Sequence, residues 1–131
     1  MADSPEVGDW VDGAEQDVKT VRLLAADHKL GLGPAICFHR QQAAEKYLKA
    51  CLIRRRIRFP KTHDFEELLT LCGPISPEFQ GLAPATGRLQ PFVVLGRYPT
   101  TVPSEAVIDQ AIDDMDTVRR LCRSMLGFGP A

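Results

Sequence analysis

Apolar residues in this chain recur at intervals of three and four, and no stretch reads convincingly as a strand. A chain of this pattern can bury its apolar surface only as helices packed on helices. The cleanest stripe is Ile108, Ala111, Ile112, Met115, Val118, Cys122, Met125 and Leu126, with Ser104 placed as a cap and Gly127 and Gly129 as stops. Four further segments follow the same logic. Val11, Ala14, Val18, Val21 and Ala25 mark a first helix over residues 7–28, ended by Gly31 and Gly33. Pro34 suits the first turn of a second helix reaching residue 56, and Phe59-Pro60 breaks the chain after it. A short third helix over residues 64–72 carries Phe65, Leu68, Leu69 and Cys72 on one side, with Asp64 and Glu67 at capping-box spacing. Ser76-Pro77 opens a fourth, with Phe79, Leu82, Ala83, Thr86, Leu89 and Val93 inward and Pro91 loosening its last turn. The expected fold is all-α: an up-and-down antiparallel bundle of four long helices plus one short helix. At 131 residues this is one domain, with residues 1–6 and 128–131 frayed.

Charge narrows the function classes. The formal net charge is −1, so no whole-molecule field draws the chain to nucleic acid. Its distribution is uneven. Lys46, Lys49, Arg54, Arg55, Arg56, Arg58 and Lys61 fall in a stretch with no acid, whereas acids gather in the first and last segments. A basic centre is compatible with a local anion site, although Arg54, Arg55 and Arg56 at a helix end also complement the helix dipole. Cys37, Cys51, Cys72 and Cys122 lie far apart at apolar positions and read as buried free thiols. With no Cys-x-x-Cys and no His-x-x-x-His spacing, no metal site or cofactor is expected. The polar, acidic start is unlike a signal peptide and no apolar run spans a bilayer, so a cytoplasmic protein is expected.

The second helix has an unusual polar side. On a helical wheel with His39 at zero, Gln42 lies at about −60°, Lys46 at about −20° and Lys49 at about −80°. Either this is a solvated face, with Glu45 pairing Lys49, or it is a wall for an anion. Gln41 falls beside Leu48, and a buried amide there needs partners. The turn Lys61-Thr62-His63-Asp64 adds a cation and an imidazole just outside a helix N-terminus. Arg97 and Tyr98, between Gly96 and Pro99, offer a guanidinium fork and a stacking ring suited to a nucleotide or phosphodiester.

Three of these stretches, in this order, carry a resemblance. Phe38-His39-Arg40-Gln41-Gln42-Ala43-Ala44-Glu45-Lys46-Tyr47-Leu48-Lys49-Ala50, then Phe59-Pro60-Lys61-Thr62-His63-Asp64, then Arg97-Tyr98-Pro99 resemble the HEPN family (higher-eukaryote and prokaryote nucleotide-binding domain). The similarity extends over roughly residues 9–126. It implies a helical bundle that commonly dimerises and occurs alone, beside a minimal nucleotidyltransferase, in toxin–antitoxin pairs, or as a metal-independent RNase. The RNase members carry an arginine followed four to six residues later by a histidine. Arg97 matches the arginine, and no histidine follows it in this chain. That departure weighs against an enzyme. The expectation is a nucleotide- or phosphate-binding module working with a nucleotidyltransferase partner, with His39, Gln42, Lys46, Lys49, Lys61, His63, Arg97 and Tyr98 converging on one cleft. The alternatives are an RNase using Arg97 with His63 or His39, and a pure interaction protein. A homodimer is expected because Phe79, Phe92, Met115, Met125 and Phe128 exceed what a small bundle must bury.

Overall fold

The computed structural model describes residues 5–25, 32–92 and 103–129. Those residues form five α-helices and no strand: α1 (Pro5–Ala25), α2 (Gly33–Arg54), α3 (Phe65–Cys72), α4 (Ala83–Leu89) and α5 (Glu105–Met125). The all-α expectation holds. Side chains expected as caps do that work. Asp64 accepts from the Glu66 backbone N–H at 2.9 Å and Ser76 from Glu78 at 3.1 Å. Ser104 accepts from Val107 at 3.2 Å. Each satisfies a backbone donor that has no partner inside its own helix.

The fourth segment is less regular than its apolar spacing suggests. It runs as a 3-10 turn (Pro77–Leu82), then α4, then a second 3-10 turn (Gln90–Phe92). Pro84 explains the first break. It lacks an N–H, and its ring collides with the carbonyl four residues earlier, so an α-helix cannot run through from residue 77. The expected loosening at Pro91 is the second 3-10 turn.

Helix α2 is the axis of the molecule. It packs most extensively against α1, then α5, with α3 and α4 on its remaining sides. Asp17 meets His39 and Lys46 while Trp10 meets Lys49, so α1 runs antiparallel to α2. Arg40 meets Ile108, Cys51 meets Cys122, and Arg54 meets Leu126, so α5 runs parallel to it. Gly33 permits the start of this second packing: a Cβ there would lie 2.9 Å from the Ile108 side chain.

Being surrounded, α2 buries 14 of its 22 residues, including Arg40, Gln41, Glu45 and Lys49. This corrects the reading of a helix with one apolar and one polar side. Its own Tyr47, Leu48 and Leu52 and, around it, Phe65, Leu68, Phe79, Leu89 and Val118 are all fully enclosed. Burying each such side chain contributes about 1.5–3 kcal/mol. The four cysteines are free and buried, as expected. Burial pushes Cys37 up to about 11 and Cys72 up to about 12, so both stay protonated thiols. The apolar surplus is absorbed internally: Phe79 and Met115 are buried, and Phe92, Met125 and Phe128 pack half-buried against the core. No helix of the described residues is long and apolar enough to cross a membrane.

Both parallel helices end in the same hydrogen-bonded cap. In α2, Arg56 N–H bonds Ile53 O and Ile57 N–H bonds Leu52 O; in α5, Gly127 bonds Ser124 and Phe128 bonds Arg123. The left-handed position is filled by Gly127 (φ 80°) in one and by Arg56 (φ 57°) in the other.

Candidate functional site

The polar residues of α2 do not form one open wall. They are drawn into separate carboxylate-centred groups. The first lies between α1 and α2. Asp17, on the same side of α1 as Ala14, Val18 and Val21, is itself buried. Its carboxylate accepts from His39 Nδ1 at 2.8 Å and from Lys46 Nζ at 2.7 Å.

The second is built on Glu45, whose side chain is 3% exposed. Gln41 Nε2 donates to Oε1 at 2.9 Å, and Lys49 Nζ donates to Oε2 at 3.0 Å. His63 Nδ1 lies 3.0 Å from both oxygens. Gln42 extends the chain by donating to Gln41 Oε1 at 2.7 Å. The Lys49 ammonium also sits 5.5 Å from the Trp10 ring centre and 5.7 Å from that of Phe59. Thus Glu45 does pair Lys49, and Gln41 does find partners, but both inside the protein. Because carboxylate oxygens accept, His63 donates through Nδ1, and its opposite nitrogen is the one left for solvent or a ligand. The His63 side chain is 60% exposed. Gln90 pins the turn: its Nε2 donates to His63 O at 3.0 Å and its Oε1 accepts from Phe65 N–H at 2.8 Å. Lys61, two residues earlier, is exposed.

The third group centres on Glu15 of α1. Arg119 grips it with Nε at 3.0 Å and Nη2 at 2.9 Å, Tyr47 OH donates at 2.7 Å, and Arg123 stands 3.8 Å away. The Arg119 hydrogen bonds hold the Glu15 carboxyl down to about 2 against the opposing effect of burial. Burial, reinforced by the Glu15 bond, raises the Tyr47 phenol to about 12. Asp114 is gripped the same way, by Arg88 Nε at 2.9 Å and Nη2 at 2.8 Å.

Arg40 stands apart. Its side chain is wholly enclosed, and Nη1 donates to Ile108 O on α5. Its Nε and Nη2 have no acceptor among the described residues. Burial lowers the guanidinium to about 10.

The expected single cleft is therefore divided. His39 and Lys46 belong to Asp17, while Gln42, Lys49 and His63 belong to the Glu45 group. Arg97 and Tyr98 lie outside the described residues. Lys46 and Lys49 are each engaged by a carboxylate, Asp17 and Glu45 respectively. Asp17, Gln90, Arg40 and the hub role of Glu45 were missed. Asp17 carried a signal, an acid placed among the inward residues of α1; Arg40 and Gln90 carried none. Among the described residues no group of three or more His, Cys, Asp or Glu is placed to hold a metal ion.

No curated protein and no solved structure matches the chain. The family model of the HEPN domain matches residues 7–125, most of its length. On that match the chain belongs to the HEPN domain family.

Proposed function

We propose that this domain is a nucleotide- or phosphate-binding module that acts with a nucleotidyltransferase partner in a toxin–antitoxin-like pair. The observation that carries the reading is the His63 turn. An exposed imidazole is held from behind by a buried carboxylate, tied at its main chain by Gln90, and accompanied by the exposed Lys61. Such a turn spends little entropy on ordering when a phosphate arrives. In this scheme Lys61 supplies charge, His63 a hydrogen bond, and Arg97 and Tyr98 the fork and the stacking ring. Lys46 and Lys49 act at one remove: Lys49 helps fix Glu45, which orients His63.

Calorimetry with ATP, GTP and other nucleotides tests it. Binding is expected to weaken about tenfold in His63→Ala with the fold intact, the equivalent of about 1.4 kcal/mol. Absence of both heat and thermal shift at millimolar nucleotide would reject the reading. Co-expression with a nucleotidyltransferase encoded nearby tests the partner, since a stable complex should co-purify.

The Glu45–His63 couple also favours a second reading, an RNase in which Arg97 steadies the phosphorane and His63 moves the proton. That reading requires metal-independent cleavage of single-stranded RNA, lost in Arg97→Ala and in His63→Ala. Intact RNA after hours with the purified protein would dispose of it. Homodimerisation belongs to the same proposal, and light scattering showing a monomer at high concentration would remove it.

A further inference from the structure

Among the described residues, Arg119 and the half-exposed Arg88 each close their Nε–Nη2 edge on a carboxylate, whereas the same edge of the enclosed Arg40 is left unfilled. Arg119 closes on Glu15 with bonds of 3.0 and 2.9 Å, and Arg88 closes on Asp114 with bonds of 2.9 and 2.8 Å. In both, two parallel N–H groups meet the two oxygens of one carboxylate. Arg40 offers the same two donors, Nε and Nη2, and no described residue accepts from them. Its third nitrogen, Nη1, donates to Ile108 O on α5. This side chain is 0% exposed, so water in bulk does not stand in for the acceptor. A guanidinium enclosed with two donors idle is costly to keep, and such groups are almost always paired.

We propose that Arg40 is the protein half of an oxyanion site between α2 and the start of α5, and that its Nε–Nη2 edge receives one phosphate group. The geometry asks for a ligand with two oxygens in one plane, matched to the spacing that Glu15 and Asp114 provide elsewhere. Nearby carboxylates narrow the ligand further. Asp109 and Asp113 are exposed and Asp116 is half-exposed on α5, and all three act on Arg40 only through space. Their field opposes every anion in proportion to its charge, so the two fork bonds must outweigh it, and a single phosphate group is opposed less than a polyphosphate chain. Because the edge is enclosed, entry requires the first turn of α5 to part from α2, and association should be slow. The inference rests on the phosphate-binding reading above only for what the phosphate is attached to.

The test uses inorganic phosphate against sodium chloride at equal ionic strength, on the whole domain. Two readouts are followed: the Arg40 Nε–Hε resonance by NMR, and the unfolding midpoint. In the natural chain the resonance is expected to move saturably and the midpoint to rise by several degrees at a hundredfold excess over Kd. Arg40→Met should lose the midpoint response, and Arg40→Lys, which keeps charge without the fork, should lose most of it. Equal phosphate stabilisation of the natural chain and Arg40→Met would overturn the inference, since that is a general salt effect. So would an Arg40 resonance that stays fixed in phosphate yet shifts in Asp113→Asn, which would assign the edge to an internal carboxylate. Should Arg40→Met fail to fold, the resonance titration of the natural chain decides alone. Nucleotide binding that persists while phosphate leaves both the Arg40 resonance and the midpoint unmoved would sink this inference and leave the proposed function standing. Phosphate binding at Arg40 with no nucleotide affinity would do the reverse.

Discussion

Two ends of α5 handle a buried arginine in opposite ways. Towards the C-terminal end, Arg119 meets Glu15 through two bonds, with Tyr47 completing the acceptor's needs. Towards the N-terminal end, α5 lends Arg40 one backbone oxygen and leaves two donors idle. Both cations are enclosed by the same pair of elements, α5 and the helices it packs on. The difference lies in whether a carboxylate was placed opposite. Pairing turns a buried charge into a fastening between helices, whereas Arg40 feels the α5 carboxylates only through space and keeps two donors without an acceptor.

The sharpest way to break this contrast is to remove the acceptor. Glu15→Ala should cost about 2–3 kcal/mol in urea unfolding, because Arg119 and Tyr47 both lose this partly exposed acceptor. A loss under about 1 kcal/mol would show that the closed fork contributes little more than the open one. Removing the cation from the open fork should have the opposite sign. Arg40→Met, in chloride, should stabilise by about 1–3 kcal/mol, since a similar volume replaces a buried guanidinium with two unmet donors. A destabilisation of that size would mean that Arg40 has found a partner in solution.

Acid sharpens the comparison next. Glu15 ionises at about 2 in the fold and at 4.5 once its partners are gone, so its contribution is fully present above pH 4.5. It fades as pH falls from 4.5 towards 2, when the native carboxylate must take a proton. With allowance for solvent around this partly exposed pair, the loss is about 1–2 kcal/mol. Glu15→Gln should flatten that part of the pH profile, and an unchanged slope would contradict the assignment. The smallest effect isolates backbone from charge. Arg56 holds the left-handed cap position that glycine fills in α5. Arg56→Gly should therefore stabilise by about 0.5–1 kcal/mol, read as a higher urea midpoint, with the Arg40 and Arg119 forks untouched.

Much of the scaffold was legible because local chemistry decides it. Ser104 and the Ile108–Leu126 periodicity define α5 without help from tertiary structure, and Asp64 and Ser76 are read directly as caps. Burial on α2 was not legible. A periodic pattern reports one apolar side, whereas a helix enclosed by α1, α5, α3 and α4 also buries polar residues, and their fate depends on partners far along the chain. Gln41 could be flagged as needing a partner, but Glu15 and Arg119 are separated by 104 residues, and nothing local announces that they meet. The His63 turn was half visible. Its chemistry stood in the sequence, while its support by Glu45 and Gln90 is purely spatial. Pro84 shows the reverse failure: its effect was local, yet the apolar spacing around it suggested a continuous helix.

The chain's one indole has a practical consequence. Trp10 packs edge-on to Phe59 at 6.2 Å and faces the Lys49 ammonium, which donates to the carboxylate that steers His63. Any rearrangement of that carboxylate changes the electric field on the indole, so tryptophan emission is a built-in, label-free gauge of what happens one turn of the network away.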